Sequence, residues 1–197
     1  MSFYRFARSL VWYLLKPFYR MEVFGAENVP KDGPVIICSN HISNLDPPIV
    51  GGATARDVHF LAKEELFKGK FFKFFFTKLN AVPIKRGMKD RQALRQVLTL
   101  LKEGKVIGLF PEGTRSKTGK LGEGLSGIGF FALRSDAIVV PCVIIGPYKV
   151  GRKLKIVFGQ SVDMTSLREV KASAKEATEK IMAEIGNLQE KHTQILD

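Results

Sequence analysis

No stretch of this 197-residue chain comes near the ~20 consecutive apolar residues that a bilayer-spanning helix requires. The longest apolar run near the start, Leu10-Val11-Trp12-Tyr13-Leu14-Leu15, is bracketed by Arg8 and Lys16, so the sequence argues against a single spanning helix. No small-x-small cleavage site follows it before the aromatic-basic segment Lys16-Pro17-Phe18-Tyr19-Arg20, which argues against a secretory signal and places the protein on the cytoplasmic side. Cysteine is scarce: Cys38 and Cys142 sit inside apolar runs and read as buried, reduced thiols. The alternative, a thiol nucleophile, rests on Cys38 lying three residues before His41. Beyond His41, His59 and His192 are far apart and sit in no ligand-like cluster, so neither a metal nor a cofactor is implied. Internal repeats and low-complexity linkers are also absent.

What is abundant is positive charge and phenylalanine. The formal charge of +12 favours an anionic partner, either acidic lipid headgroups or nucleic acid. Phe occurs 15 times against one Trp and four Tyr, a bias that suits oily surroundings. Residues 3–20 interleave Phe3, Phe6, Leu10, Tyr13, Leu14 and Phe18 with Arg5, Arg8, Lys16 and Arg20 at roughly helical spacing, which predicts an interfacial amphipathic helix. A second basic-aromatic segment, Phe71-Phe72-Lys73-Phe74-Phe75-Phe76, is flanked by Lys68, Lys70 and Lys78. As a stacking platform it would serve nucleic acid. Five rings in six residues would cover several faces of a helix, which favours insertion into an anionic membrane surface and no nucleic acid; part of the run can also be core.

The length fits one α/β domain. After a loop from Gly25 to Pro34, apolar runs at 35–38, 58–61, 81–84, 106–110, 138–145 and 153–158 read as strands. A helix is predicted over 90–103, with Asp90 as cap and Gly104 as terminator. A long C-terminal helix carries the stripe Leu167, Val170, Ala174, Ala177, Ile181, Ile185 and Leu188. The expected architecture is a mixed, largely parallel sheet flanked by helices on both faces, with an N-terminal amphipathic segment over 1–21 and the catalytic domain over 22–197.

Three loops follow strands at the carboxyl end, where open α/β sheets build their sites. In the first, Ser39-Asn40-His41-Ile42-Ser43-Asn44-Leu45-Asp46-Pro47-Pro48, Pro47 suits the first turn of a helix, which makes Asp46 a natural N-cap. The His-x4-Asp spacing also lets the Asp46 carboxylate fold back to the imidazole of His41, giving a base with an orienter. Taken alone the pair is better read as a capped helix beside a loop histidine, and more residues are needed to favour the base. The second loop, Phe110-Pro111-Glu112-Gly113-Thr114-Arg115-Ser116, offers a permissive Gly113, the Thr114 and Ser116 hydroxyls, and the planar fork of Arg115, the makings of an anion cradle or of an ordinary polar turn. The third places Lys85 and Arg86 before the helix at 90–103, whose N-terminus itself favours anions. A base, an anion cradle and a cation pair together suit a phosphate-bearing alcohol.

With these blocks the chain resembles the glycerolipid acyltransferases typified by 1-acylglycerol-3-phosphate acyltransferase. The N-H-x4-D block is Asn40-His41 through Asp46, a second block ends in Arg86, the E-G-T-R block is Glu112 to Arg115, and the V-P block is Val140-Pro141. They stand in the family's order and spacing over about residues 22 to 160. After Gly119-Lys120-Leu121-Gly122-Glu123 the family often carries basic residues, whereas this chain has Gly124-Leu125-Ser126-Gly127, leaving phosphate recognition to Lys85, Arg86 and Arg115.

The resemblance implies that His41 deprotonates the sn-2 hydroxyl of lysophosphatidic acid as that oxygen attacks a fatty acyl thioester, acyl-ACP or acyl-CoA, at the cytoplasmic face of the cell membrane. Asp46 would fix the His41 tautomer; Lys85, Arg86, Glu112, Gly113, Thr114 and Arg115 would bind acceptor; backbone amides of 40–46 are candidates to stabilise the oxyanion. Glycerol 3-phosphate or another lysolipid is the alternative acceptor. A serine hydrolase using Ser39 or Ser43 with His41 would be a different chemistry, but no Gly-x-Ser-x-Gly elbow surrounds either serine.

Overall fold

The computed structural model describes residues 2–85 and 90–193. Seven strands form one sheet: β1 (Met21–Phe24), β2 (Val35–Ser39), β3 (Val58–Lys63), β4 (Ala81–Ile84), β5 (Val106–Leu109), β6 (Ile138–Ile145) and β7 (Leu154–Phe158). Their order is β1-β7-β6-β2-β5-β3-β4. All pairs are parallel except β6 with β7. The largely parallel sheet expected from the alternating apolar runs is therefore present, and each of those runs forms a strand. β1 is an addition: its four residues pair with β7 at the sheet edge, too short a run to stand out in the sequence.

Because successive strand residues face opposite ways, the all-apolar strands fill two cores at once. Val35 and Ile37 face α1 (Phe3–Phe18) and α2 (Asp46–Gly52), joining Ile49, Val50 and the partly buried Trp12 and Leu15. Ile36 and Cys38 face α4 (Arg91–Lys102), α5 (Gly127–Leu133) and α7 (Ala174–Thr193), joining Val97, Leu101, Phe131, Ile181 and Ile185. The remaining helices are α3 (Lys70–Lys78), which carries the Phe run, and the five-residue α6 (Thr165–Glu169).

Asp90 caps α4 as expected, its Oδ1 accepting the amides of Gln92 and Ala93 at 3.1 and 3.0 Å. The single C-terminal helix is corrected: the chain breaks between α6 and α7, where Lys171 turns to φ 52° and Val170 is 74% exposed. A capping box restarts the helix, with Ser173 N–H donating to Glu176 Oε2 at 2.7 Å and Glu176 N–H to Ser173 Oγ at 3.2 Å. Nor is the Phe run core, since none of the nine residues of α3 is buried.

Candidate functional site

β2 and β5 are adjacent and parallel, so the loops leaving their carboxyl ends emerge side by side. Asn40 anchors the first loop: its Nδ2 donates to the Ile144 carbonyl at 3.0 Å and its Oδ1 accepts the Ile144 amide at 2.8 Å, locking the end of β2 to β6. Beyond it Asp46 is wholly buried. Its Oδ2 accepts the amides of Ile42 at 2.6 Å and Ser43 at 2.8 Å and meets His41 Nδ1 at 2.6 Å. An oxygen already accepting two amides acts as a third acceptor, so Nδ1 carries the proton and donates. The Nε2 lone pair is then the free one, the tautomer a base requires.

This geometry corrects one expectation. Asp46 is the first residue of α2 and makes no cap to it; its carboxylate turns back to close the loop, Oδ2 being committed to two amides and the imidazole. The His41 ring stacks on Phe110, with centroids 4.2 Å apart and planes at 20°, and its side chain keeps 18% of its surface exposed. It is held on one face and open to a reactant.

Glu112 ties the second loop to the first. Its Oε1 accepts the His41 amide and its Oε2 the Gly122 amide, each at 3.0 Å, while the Ser116 amide donates to the His41 carbonyl at 2.7 Å. Gly113 turns at φ 63°, and a Cβ there would strike Leu125 at 2.5 Å, so the loop needs glycine at this point. Beside it lies an open cavity of about 370 Å³ walled by Glu112, Thr114, Arg115, Ser116, Lys120 and Gly122, among others. Arg115 is exposed at its rim and, among the described residues, pairs with no carboxylate. A larger groove of about 450 Å³ between Gln160–Asp163 and α7 includes Pro141 of the V-P block in its lining but none of the expected catalytic or substrate-binding residues.

Of the expected site residues, the structure joins His41, Asp46 and Glu112 by direct hydrogen bonds and sets Gly113, Thr114 and Arg115 on the adjoining loop. Lys85 follows β4, two strand positions from β5, or roughly 10 Å across the sheet. Its amide donates to Asp90 Oδ2 at 2.9 Å and its side chain is exposed. Arg86 lies outside the described residues. The amides of 41, 42, 43, 45 and 46 already donate, the last two to Ser43, so these five expected oxyanion donors are occupied.

The thiol alternative fails on burial. Cys38 is fully enclosed in the α4–α5–α7 core, and burial pushes its thiol well above the usual range; Cys142 is pushed up to about 12. The serine alternative fails on direction, since Ser39 Oγ is turned to Asn40 and Ser43 Oγ accepts the Leu45 amide. Among the described residues no group of histidine, cysteine and carboxylates is arranged to hold a metal ion. One participant escaped sequence reasoning: Tyr148, whose Oη donates to Asp46 Oδ1. Its only signal was position, just after Gly146-Pro147 at the carboxyl end of β6.

Comparison with known proteins gives a consistent picture. A family model described as acyltransferase matches residues 20–145. The 1-acyl-sn-glycerol-3-phosphate acyltransferase of Bacillus subtilis (strain 168) is 29% identical over 202 residues, covering 98% of this chain and 100% of that protein. A chloroplastic enzyme of the same name from Arabidopsis thaliana is 34% identical over 137 residues, 68% of this chain and 38% of its own length. Among solved structures, the 1-acyl-sn-glycerophosphate (LPA) acyltransferase PlsC from Thermotoga maritima superposes with a TM-score of 0.68 at 29% identity, over 95% of this chain and 83% of that one.

Proposed function

Given that the chain belongs to the acyltransferase family, we propose that it transfers a fatty acyl group from an acyl thioester, acyl-ACP or acyl-CoA, to the sn-2 hydroxyl of 1-acylglycerol 3-phosphate, forming phosphatidic acid. The observation that carries the reading is the His41–Asp46 pair: an imidazole with Nδ1 bound to a buried carboxylate, its Nε2 lone pair left to act as base, and on the next loop a cavity lined by Arg115, which pairs with no carboxylate among the described residues.

In this mechanism Nε2 of His41 takes the proton of the acceptor hydroxyl as its oxygen bonds to the thioester carbon. The C–S bond then breaks, and the leaving thiolate receives the proton from the imidazolium, which Asp46 stabilises throughout. No acyl-enzyme forms. Glu112 acts on the backbone: by holding the amides of His41 and Gly122 it fixes the distance between base and cavity. Arg115 binds the acceptor phosphate with its guanidinium fork, together with Lys85, Arg86, Gly113 and Thr114. The acceptor and both donors are amphiphiles, and residues 1–21 hold the catalytic unit of 22–197 at an anionic membrane surface. Phe3, Phe6, Leu10, Tyr13, Leu14 and Phe18 of α1 are all exposed, and Phe3 meets Phe75 of α3 edge-on at 6.2 Å, giving one continuous apolar area. Among the described residues no helix is long and apolar enough to cross a membrane.

The test is to offer the purified protein lysophosphatidate or glycerol 3-phosphate with each thioester donor and identify products by mass spectrometry. Phosphatidate from lysophosphatidate is the expected product. Acylation of glycerol 3-phosphate alone, or no ester with either donor, overturns the assignment.

A further inference from the structure

The His-x4-Asp loop uses only one of the two carboxylate oxygens of Asp46. Oδ2 takes the imidazole and two amides. Oδ1 looks out of the loop, and Asp46 is wholly buried, so water cannot serve it; a buried carboxylate oxygen without a donor is destabilising. Its donor is Tyr148 Oη, arriving from the loop after β6, 102 residues later in the chain.

That loop does not stand alone. The Tyr148 ring sits edge-on to Tyr19, centroids 5.6 Å apart at 77°. The Gly151 amide donates to the Phe18 carbonyl at 2.8 Å and the Leu154 amide to the Tyr19 carbonyl at 3.0 Å. The end of α1 thus holds the Tyr148 loop through two main-chain hydrogen bonds and one ring contact. The rest of α1 lies across α2, the helix that Asp46 begins. Trp12 packs on Gly52 so closely that a Cβ there would come within 2.6 Å of its ring, and Arg8 Nη1 donates to the carbonyls of Thr54, Ala55 and Arg56 just past the end of α2.

We propose that Tyr148 is a positioning residue for the His41–Asp46 pair and that α1, through Tyr19, braces it. The helix that offers its apolar face to a membrane also sets the carboxylate that orients the base. This inference rests on the reading of His41 as the base. The ionisable groups facing the pair are Tyr148, Tyr19 behind it, Cys142 on β6 and Glu112 on the loop after β5. Burial foremost, then the Asp46 charge, raises the Tyr148 phenol far above its ordinary value, and Cys142 titrates near 12, so both stay protonated through the assay range.

The experiment uses the full chain with acceptor in detergent micelles, so that membrane contact is not limiting. Tyr148→Phe keeps the ring against Tyr19 and removes only the O–H. The expected result is a kcat lowered about tenfold with the KM of acceptor and donor within about twofold, because Tyr148 orients the base and does not line the acceptor cavity. The acid limb of the kcat/KM profile moves to higher pH, since a carboxylate with one donor fewer draws the imidazole proton more strongly. Tyr19→Ala changes both readouts in the same direction by a smaller factor, about threefold in kcat. In an Asp46→Ala background, Tyr148→Phe has no further effect, there being no carboxylate left to orient. An unchanged kcat and pH profile in Tyr148→Phe, or the same tenfold loss with and without Asp46, overturns the inference. His41→Ala is measured in parallel: a folded His41→Ala protein at normal turnover overturns the base itself, whereas an inactive one beside a fully active Tyr148→Phe overturns only the brace.

Discussion

The loop at residues 40–46 and helix α3 use their side chains in opposite ways. In the loop Asp46 is completely buried, Asn40 nearly so, and five of the seven amides donate to a named acceptor. In α3 no residue is buried, and Phe71, Phe72, Phe74 and Phe75 are exposed. Those rings touch chiefly one another: Phe71 stacks on Phe75 at 6.3 Å, and Phe75 meets Phe76 edge-on at 5.6 Å. The first region places a few atoms to within tenths of an ångström by over-determining them with hydrogen bonds. The second presents apolar area that is stabilised only when something apolar covers it. Substitutions in the loop should therefore change the rate of the chemical step, and substitutions in α3 should change where the protein works.

The largest effect expected from that contrast is at His41. His41→Ala removes the proposed base and should lower kcat about 10³-fold, with Asp46→Asn following at about 10²-fold and acceptor binding retained in both. Because the His41 side chain is partly exposed and its main-chain bonds to Glu112 and Ser116 survive the change, the melting temperature of His41→Ala should stay near that of the parent. Turnover near normal in a folded His41→Ala protein would dissolve the distinction between the two regions.

Smaller, and of another kind, is the effect at Arg115, which lies between the two extremes: exposed like α3, yet on a loop tied to His41. Arg115→Ala should raise the acceptor KM about tenfold and leave the donor KM unchanged, the upper part of the usual range for a charge-assisted bond being lost to solvent at this exposed position. Lys at 115 should restore part of the affinity, since it supplies charge without the fork. Initial rates with each substrate varied in turn decide the matter; a selective rise in donor KM would move Arg115 to the thioester side.

How far the sequence revealed this arrangement follows from the range of each interaction. The strands at 35–38 and 106–110 were legible because they are buried on both faces and so are continuously apolar, and the site loops were legible because they follow such strands. The His41–Asp46 bond was legible because only four residues separate the partners. Tyr148 was not: its partner lies 102 residues away, and a tyrosine after Gly-Pro carries no spacing rule. The break between α6 and α7 was masked because Val170 continued the apolar stripe, although Ser173 and Glu176 already spelled the capping box that restarts the helix. The Phe run pointed to the surface because five rings in six residues cover several faces of a helix; that no part of it is core depends on α3 lying outside both cores, which the local sequence does not show.

The smallest effect belongs to α3, and it depends on the medium of the assay. Phe72 and Phe75 are 54% and 37% exposed, and their helix adds no buried residue to either core, so changing both to Ser should leave the fold and the His41 loop intact. With acceptor in detergent micelles the double variant should match the parent within about twofold. On vesicles the two rings no longer leave water; their shielding by neighbouring rings limits the loss to about 1 kcal/mol, or roughly fivefold in membrane binding and in activity on vesicle-borne acceptor. The exposed Lys68, Lys70, Lys73 and Lys78 remain, each attracted to anionic lipid by roughly 1 kcal/mol near the surface, so the affinity should fall with added salt by the same factor as that of the parent, from a lower starting value. Co-sedimentation with anionic vesicles across a salt series measures both parts. Equal losses in micelles and on vesicles would mean that α3 supports the catalytic loop, and the two regions would then be one.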